Sequence, residues 1–204
     1  MIPIINWVLS GTSLTAGISE QVADFRHLAD PPPTLVGRIR RALLEYPCDL
    51  LFVHRDAEGE RREVRTEEIR MATEAAPVPR WVPVVPVRMT EAWLLIDDGA
   101  IRRSADNPNG TMRLPLPRVT TLEAVPDPKR VLHECLLTAC DLGQRRRQQF
   151  QRSMSKRVQR VAFLIEDFSP LDLLPAFHAF RESTHMAVEA ILALHSGSSP
   201  RSRA

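Results

Sequence analysis

One stretch organises the rest of this chain: Cys48-Asp49-Leu50-Leu51-Phe52-Val53-His54. Its centre is continuously apolar, which is typical of a parallel strand covered on both faces. Helices are expected on either side of it, over residues 34 to 46 and 63 to 75. A second strand follows at Trp81-Val82-Pro83-Val84-Val85-Pro86-Val87, and its two prolines favour an edge position or a bulge. Alternating helices and strands predict an α/β fold, with a mostly parallel sheet flanked by helices.

The second half of the chain has a different pattern. Residues 107 to 126 form a proline-rich connection, and Asp127-Pro128 then has the form of a helix start. Further helices are expected over residues 148 to 165 and 176 to 194. We therefore predict an α/β core over residues 1 to 106, a proline-rich connection with a helical C-terminal part packed on the core over 107 to 195, and a disordered tail over 196 to 204.

Composition and charge exclude several classes of protein. Hydrophobic residues make up 44% of the chain, yet the longest apolar runs are far too short to cross a bilayer. The N-terminal residues lack the basic segment and cleavage site of a signal peptide. The three cysteines show no CxxC spacing and lie in apolar runs, so each is expected to be a buried free thiol. These features predict a cytoplasmic protein without a membrane partner.

Two carboxylates come directly after the first strand. Asp56 and Glu58 occupy the edge where ligands bind in open α/β sheets. Hard oxygen ligands at this spacing suit Mg²⁺ or Mn²⁺, which could position a phosphate. The alternative is a solvated, charged turn that bends at Gly59. The local pattern leaves both interpretations open.

A third carboxylate, Glu91, follows the second strand and could join the same edge of the sheet. The alternative for Glu91 is a purely local role, since the macrodipole favours a glutamate in the first turn of a helix.

Basic residues are concentrated in the C-terminal half, although the net charge of the chain is only +2. Such a cluster either contacts phosphates or forms a solvated helix face. The candidate nucleic-acid contacts are Arg145, Arg146, Arg147, Arg152, Lys156 and Arg157.

Two blocks of sequence can be compared with a known family. They are Tyr46-Pro47-Cys48-Asp49-Leu50-Leu51-Phe52-Val53-His54-Arg55-Asp56-Ala57-Glu58 and Val84-Val85-Pro86-Val87-Arg88-Met89-Thr90-Glu91-Ala92-Trp93-Leu94-Leu95. Both blocks resemble an uncharacterised bacterial family of Toprim-like proteins. Relatives of that family in fold include the RloB and OLD-type proteins of phage-defence and mobile-element systems. The resemblance extends from about Ile2 to Phe180 and is strongest in the two blocks.

The resemblance implies a Toprim-like fold and a metal site for phosphoryl transfer. By position, Asp56 and Glu58 match the family's D-x-D pair, and Glu91 matches the acid of its E-A-W block. The family's first strand and its acidic residue have no counterpart here. Either the start of the chain is placed too far downstream, or one strand and one ligand are missing.

Three functions follow as hypotheses. The first is a Mg²⁺- or Mn²⁺-dependent nuclease, in which Asp56 and Glu58 hold the metal and Glu91 acts as ligand or base. The second is a non-catalytic binding module on the same fold, such as a partner protein in a defence or mobile-element system. The third is a hydrolase of small phosphorylated molecules.

Overall fold

The apolar stretch that follows Asp49 is a strand, as predicted. A computed structural model describes residues 1–14, 17–25 and 28–197. Strand β1 (Leu50–His54) pairs in parallel with β2 (Arg80–Val84), in a register that sets Leu50 beside Arg80 and His54 beside Val84. The described residues form no further strand. The chain is therefore mixed α/β and mostly helical, with a small parallel sheet.

Some of the helices begin just after residues whose side chains cap them. Thr34 accepts a hydrogen bond from the Gly37 N–H at 3.1 Å, and Asp127 accepts one from the Arg130 N–H at 2.9 Å. Both residues are therefore N-caps, and the helix start predicted at Asp127-Pro128 is confirmed. The α-helices are α1 (Ile2–Ser10), α2 (Leu35–Glu45), α3 (Arg62–Glu74), α4 (Asp98–Ser104), α5 (Pro128–Ala139), α6 (Gln144–Arg152), α7 (Met154–Leu164) and α8 (Pro175–Gly197). Short 3₁₀ helices span Thr90–Leu94, Val119–Ala124 and Ser169–Leu173.

The chain divides into two compact units, each assembled from separate segments. The first unit comprises Met1–Trp7, Asp56–Glu60 and Pro86–His178. The second comprises Val8–Arg55, Arg61–Val85 and Ala179–Ala204. The sequence predicted a division near residue 106, whereas these units alternate along the chain. Much of the predicted tail, from residue 198 onward, lies outside the described residues.

The second unit contains the sheet. Val82 and Val84 of β2 and Ile69 of α3 are fully buried. Phe52 of β1 meets Phe180 edge-to-face, with ring centroids 6.2 Å apart. The buried face of α3 and the two strands therefore form a small apolar core.

The first unit is helical and has a larger core. Trp93 meets Phe177 edge-to-face, with ring centroids 5.3 Å apart, and both side chains are buried. Helices α4, α5 and α7 contribute fully buried apolar side chains to this unit: Ile101, Leu132, Leu136 and Val161. This unit also contains every carboxylate and every basic residue of the predicted sites.

Three local predictions are wrong. The basic segment is not one helix over residues 148 to 165, because α6 ends at Arg152 and α7 begins at Met154. Cys48 is exposed, since it precedes β1 outside the apolar run, whereas Cys135 and Cys140 are buried as expected. Thr90, which the sequence favours as the cap of a helix, is instead the first residue of the 3₁₀ helix Thr90–Leu94.

Candidate functional site

The segment after β1 makes a tight turn that presents the predicted acids. Ala57 is fully buried, and its N–H donates to the Pro86 carbonyl at 3.0 Å. The Glu58 N–H donates to the Arg88 carbonyl at 3.2 Å. These bonds join the turn to the segment that leads into the 3₁₀ helix Thr90–Leu94. Two stretches of chain that each carry a predicted site acid therefore lie side by side.

Positive backbone angles allow this turn. Glu58 has φ 53° and Gly59 has φ 98°, a conformation that glycine adopts without strain. A Cβ added at Gly59 would also lie 3.1 Å from Nη1 of Arg88. Glycine is thus required here by its backbone conformation and by the close side chain. The exposed Glu58 side chain projects from this strained position.

Asp56 is hydrogen-bonded within the fold. Its Oδ1 accepts from the Thr90 N–H at 3.1 Å and from the Thr90 hydroxyl at 3.4 Å. The Thr90 N–H is the first donor of a 3₁₀ helix and has no partner inside that helix. Asp56 therefore has a structural role that its position in the sequence did not reveal, in addition to any role in a site.

Glu91 belongs to the same neighbourhood. It is half-buried and follows directly after the threonine that Asp56 binds. Burial lowers the pKa of the Met1 α-amino group, and the nearby Glu91 carboxylate acts on that pKa in the opposite direction. The three predicted acids are thus carried by two segments that are hydrogen-bonded to each other.

The side chains of this acidic turn, Asp56 to Glu60, determine which kind of metal site it could form. Within residues 1–14, 17–25 and 28–197, no group of three or more His, Cys, Asp or Glu side chains is arranged to hold a metal ion. Mg²⁺ commonly takes only one or two carboxylates, and completes its octahedron with water and substrate phosphates. Among the described residues the carboxylates therefore form no cage of protein ligands alone, and a Mg²⁺ site on Asp56 and Glu58 stays a prediction.

The basic residues are placed on two consecutive helices. Five of the six predicted contacts have exposed side chains and form what we call the basic patch: Arg145, Arg146, Arg147, Arg152 and Lys156. In the part of the chain that the structure describes, none of the five forms an ion pair. No acidic residue occurs between Asp141 and Glu166. The exposure of these five side chains agrees both with contacts to phosphate and with a solvated helix face.

Arg157, the sixth predicted contact, makes internal contacts. Its Nη1 lies 2.8 Å from the Asp106 carboxylate and donates to the Ser104 carbonyl at 2.5 Å. Its guanidinium also lies 4.0 Å from the centroid of the Phe150 ring, as in a cation–π contact. Arg157 therefore joins α7 to the end of α4 and to α6, and contributes less free charge than its neighbours.

Asp106 was not predicted from the sequence as a functional residue. It accepts from Arg157 and, at 2.6 Å, from Arg160, and it has a φ of 60°. The hydrogen bond from Arg157 is the main cause that lowers the pKa of Asp106, and Arg160 acts in the same direction. No local signal marks this residue, because its partners lie more than fifty positions away along the chain.

The second unit has a concave surface of its own. An open groove of about 430 Å³ lies between the residues that precede the two strands and the end of α8. Its lining includes the exposed Cys48 and His195. No helix of the described chain has both the length and the apolar character that a bilayer span requires.

Comparisons with models of known protein families, with curated proteins and with solved structures found no match. The Toprim-like resemblance therefore stays a prediction.

Proposed function

We propose that this chain binds nucleic acid, and that the basic patch contacts the phosphate backbone. The observation that supports the proposal is the accumulation of five exposed cations on a segment that has no acidic residue. Duplexes and single strands both carry a dense row of negative charges, and arginine is well suited to phosphate.

The basic patch differs from the other charged helices of the chain. On α3, Arg70 lies between Glu67 and Glu74, one turn away on either side. On α5, Arg130 pairs with Glu134 at 2.6 Å. Such pairs stabilise a helix by a few tenths of a kcal/mol each. Helix α6 has no acid with which to form them.

The position of the arginines within α6 is also unfavourable for an isolated helix. Arg145, Arg146 and Arg147 lie in its first turns, where the helix macrodipole disfavours positive charge. Neighbouring guanidinium groups repel each other as well. These charges cost the folded chain some stability, and a bound polyanion would offset that cost.

The experiment compares two triple variants that remove the same charge. In the first, Arg145, Arg146 and Arg147 are all changed to Gln. In the control, three other exposed arginines are changed to Gln: Arg61, Arg113 and Arg118. Binding of labelled DNA and RNA is followed by fluorescence anisotropy over a series of salt concentrations.

We expect the patch variant to bind at least tenfold more weakly than the control. We also expect the slope of log K against log salt to become shallower by roughly 0.7 to 0.9 for each phosphate that the variant no longer neutralises. Equal affinities of the two triple variants would refute the proposal, because the charge removed is the same in both.

The acidic turn supports a second candidate, a Toprim-like phosphoryl-transfer activity that depends on Mg²⁺ or Mn²⁺. The specific observation is that the segments of Asp56 and Glu58 and of Glu91 are joined by hydrogen bonds. Asp56 and Glu58 would hold the ion, and Glu91 would serve as ligand or base. A bound divalent ion would neutralise phosphate charge and make water more acidic.

Asp56→Asn tests this candidate cleanly. The asparagine oxygen can still accept from Thr90, so the fold keeps its contact while the carboxylate charge is removed. Glu60→Gln, an exposed position in the same turn, is the matched control. Mn²⁺ binding and cleavage of single- and double-stranded DNA and RNA are measured.

Loss of Mn²⁺ binding and of cleavage in the Asp56 variant alone is the expected result. If the wild-type chain binds nucleic acid but neither binds Mn²⁺ nor cleaves, the non-catalytic binding module is the better description of the same fold.

A further inference from the structure

Phe163 is unusual among the phenylalanines of this chain. Its side chain is 69% exposed, whereas Phe150, Phe168, Phe177 and Phe180 are at most 4% exposed. It is also the only aromatic residue among the exposed large hydrophobic residues of the described chain. Near it on α7, Val161 and Ala162 are buried and Leu164 is half-buried. The ring is therefore available for an external contact.

The surroundings of Phe163 are basic and polar. Arg160 precedes it by three residues and Gln159 by four, so all three lie on one face of α7. Lys156, a member of the basic patch, lies one turn further along the same face. Each of these side chains is exposed, and Asp106 holds the Arg160 guanidinium at 2.6 Å. An exposed ring thus lies in line with cations spaced one turn apart.

We infer that Phe163 stacks on an unpaired base, and that the ligand of the basic patch is a single-stranded nucleic acid. This inference rests on the proposed function. A duplex buries the faces of its bases, whereas a single strand exposes them beside its phosphates. Cations that track the backbone together with an aromatic ring that stacks on a base are the usual elements of single-strand binding.

The alternative ligand is an anionic membrane surface. An interfacial helix needs a broad apolar face opposite its charges. On α7 the apolar residues Met154, Val161 and Ala162 are buried, and Val158 and Leu164 are half-buried. One exposed ring is left, which is no broad apolar face. One exposed ring is sufficient to stack on a single base, whereas binding to a lipid layer needs a broader apolar face.

The experiment uses the whole chain and four variants. Phe163→Ala removes the ring, Phe163→Leu keeps an apolar side chain without a π face, and Phe163→Trp keeps an aromatic ring. Leu173→Ala, at a position that is 64% exposed, is the control for loss of exposed apolar surface. Affinities are measured for a labelled oligo(dT), for a duplex of the same length and for phosphatidylserine vesicles.

We expect the Ala and Leu variants to bind oligo(dT) about 5- to 100-fold more weakly, with duplex affinity unchanged. The Trp variant keeps its affinity, and its indole fluorescence is quenched when oligo(dT) binds. The Leu173 variant behaves as wild type.

Three outcomes overturn the inference. If all the Phe163 variants bind oligo(dT) as wild type while the triple arginine variant does not, the basic patch binds nucleic acid without stacking. If Phe163→Ala weakens only vesicle binding, the ring contacts lipid. If the wild-type chain binds no nucleic acid at all, the proposed function fails and the inference fails with it.

Discussion

Asp56 shows how one side chain can serve a structural and a chemical role. Its Oδ1 accepts two hydrogen bonds from Thr90, which starts a 3₁₀ helix. The carboxylate therefore links the acidic turn to the segment that carries Glu91. Any ligand of this turn would bind to a group whose orientation is already set by the fold.

Substitution of Asp56 should separate these two roles. Asp56→Ala leaves the Thr90 N–H without its partner and should lower the free energy of unfolding by about 1 kcal/mol. Asp56→Asn retains an acceptor oxygen and should cost clearly less. Urea denaturation measures both values. Equal losses for the two variants would show that the charge, and not the hydrogen bond, stabilises the turn.

Cys135 provides a second prediction for a single side chain. Burial raises the pKa of its thiol to about 12, and the charges of Glu134 and Asp98 act in the same direction. The pKa of Cys135 is higher in the folded chain than in the unfolded chain, so the neutral thiol contributes its full stabilisation below the unfolded pKa. This stabilisation is lost as the pH rises through the folded pKa. The thiol should therefore weaken the fold progressively from about pH 8.5 upward.

Unfolding by urea at about pH 8 and about pH 10.5 tests the effect of the Cys135 thiol. The wild type should lose about 1 to 3 kcal/mol more between these values than Cys135→Ala, although the variant starts from a lower stability. A variant that loses as much stability as the wild type would show that another group dominates in this range.

At the scale of the element, contacts where α4, α6 and α7 meet neutralise part of the positive charge of α7. Ser104 is fully buried and donates to the Arg157 carbonyl at 2.8 Å, while Arg157 donates back to the Ser104 carbonyl. Asp106 then pairs with Arg157 and Arg160. One carboxylate thus pairs with two cations of α7. The stretch of α6 and α7 that carries the basic patch contains no acidic residue.

Asp106→Asn should weaken the fold near neutral pH and remove part of its acid sensitivity. Because the folded pKa of Asp106 is lowered, its stabilisation is present above the unfolded pKa and is lost as pH falls through the folded pKa. The side chain is 55% exposed, so solvent screening limits the effect to about 0.2 to 1 kcal/mol. Asparagine tolerates the positive φ of this position, so the backbone is not strained further. Thermal unfolding at neutral and acidic pH measures the difference.

The same substitution should strengthen the nucleic-acid binding that we propose for the basic patch. Removing the Asp106 carboxylate adds one positive charge to the surface and leaves Arg157 and Arg160 without their shared anion. We expect affinity to rise a few-fold at low salt and the increase to shrink as salt screens the charge. Glu134→Gln on α5 removes an equal charge and is the control. If the affinity of the control rises by the same factor, the effect is due to net charge and not to the position of Asp106.

At the scale of the whole molecule, charge and apolar surface are unevenly distributed. The net charge is only +2, yet a segment of the first unit carries seven basic residues and no acid: Arg145, Arg146, Arg147, Arg152, Lys156, Arg157 and Arg160. The same unit contains the larger group of buried side chains. The unit with the larger core therefore also carries a surface on which neighbouring positive charges repel one another.

Two leucines test where the stability of the chain resides. Leu132 is fully buried in the first unit, and Leu132→Ala should lower the free energy of unfolding by about 2 to 5 kcal/mol. Leu44 is 77% exposed on α2, and Leu44→Ala should change it by no more than about 0.5 kcal/mol. Chemical denaturation of both variants provides the comparison. Similar values for the two would contradict the burial that the fold assigns to them.

Much of the local structure could be predicted from the sequence because it depends on neighbouring residues. Several signals act within a few positions of the chain: the apolar run of β1, the caps at Thr34 and Asp127, and the spacing of apolar residues along α5. The parallel pairing of the two strands followed from the helix between them. Asp56 and Glu58 could be placed just after β1 for the same reason, whereas Glu91 lies in the 3₁₀ helix Thr90–Leu94, beyond the end of β2.

What only the tertiary structure decided involves residues that are distant in sequence. Asp56 meets Thr90 across 34 positions, and Asp106 meets Arg157 across 51. Phe150 and Phe163 lie in similar basic sequence, yet one is buried and the other is exposed. Hydrogen bonds and burial of this kind depend on how helices pack, and packing depends on contacts across the whole unit. For that reason the sequence by itself placed the acids and the arginines, whereas the fold determined which of them are free to meet a ligand.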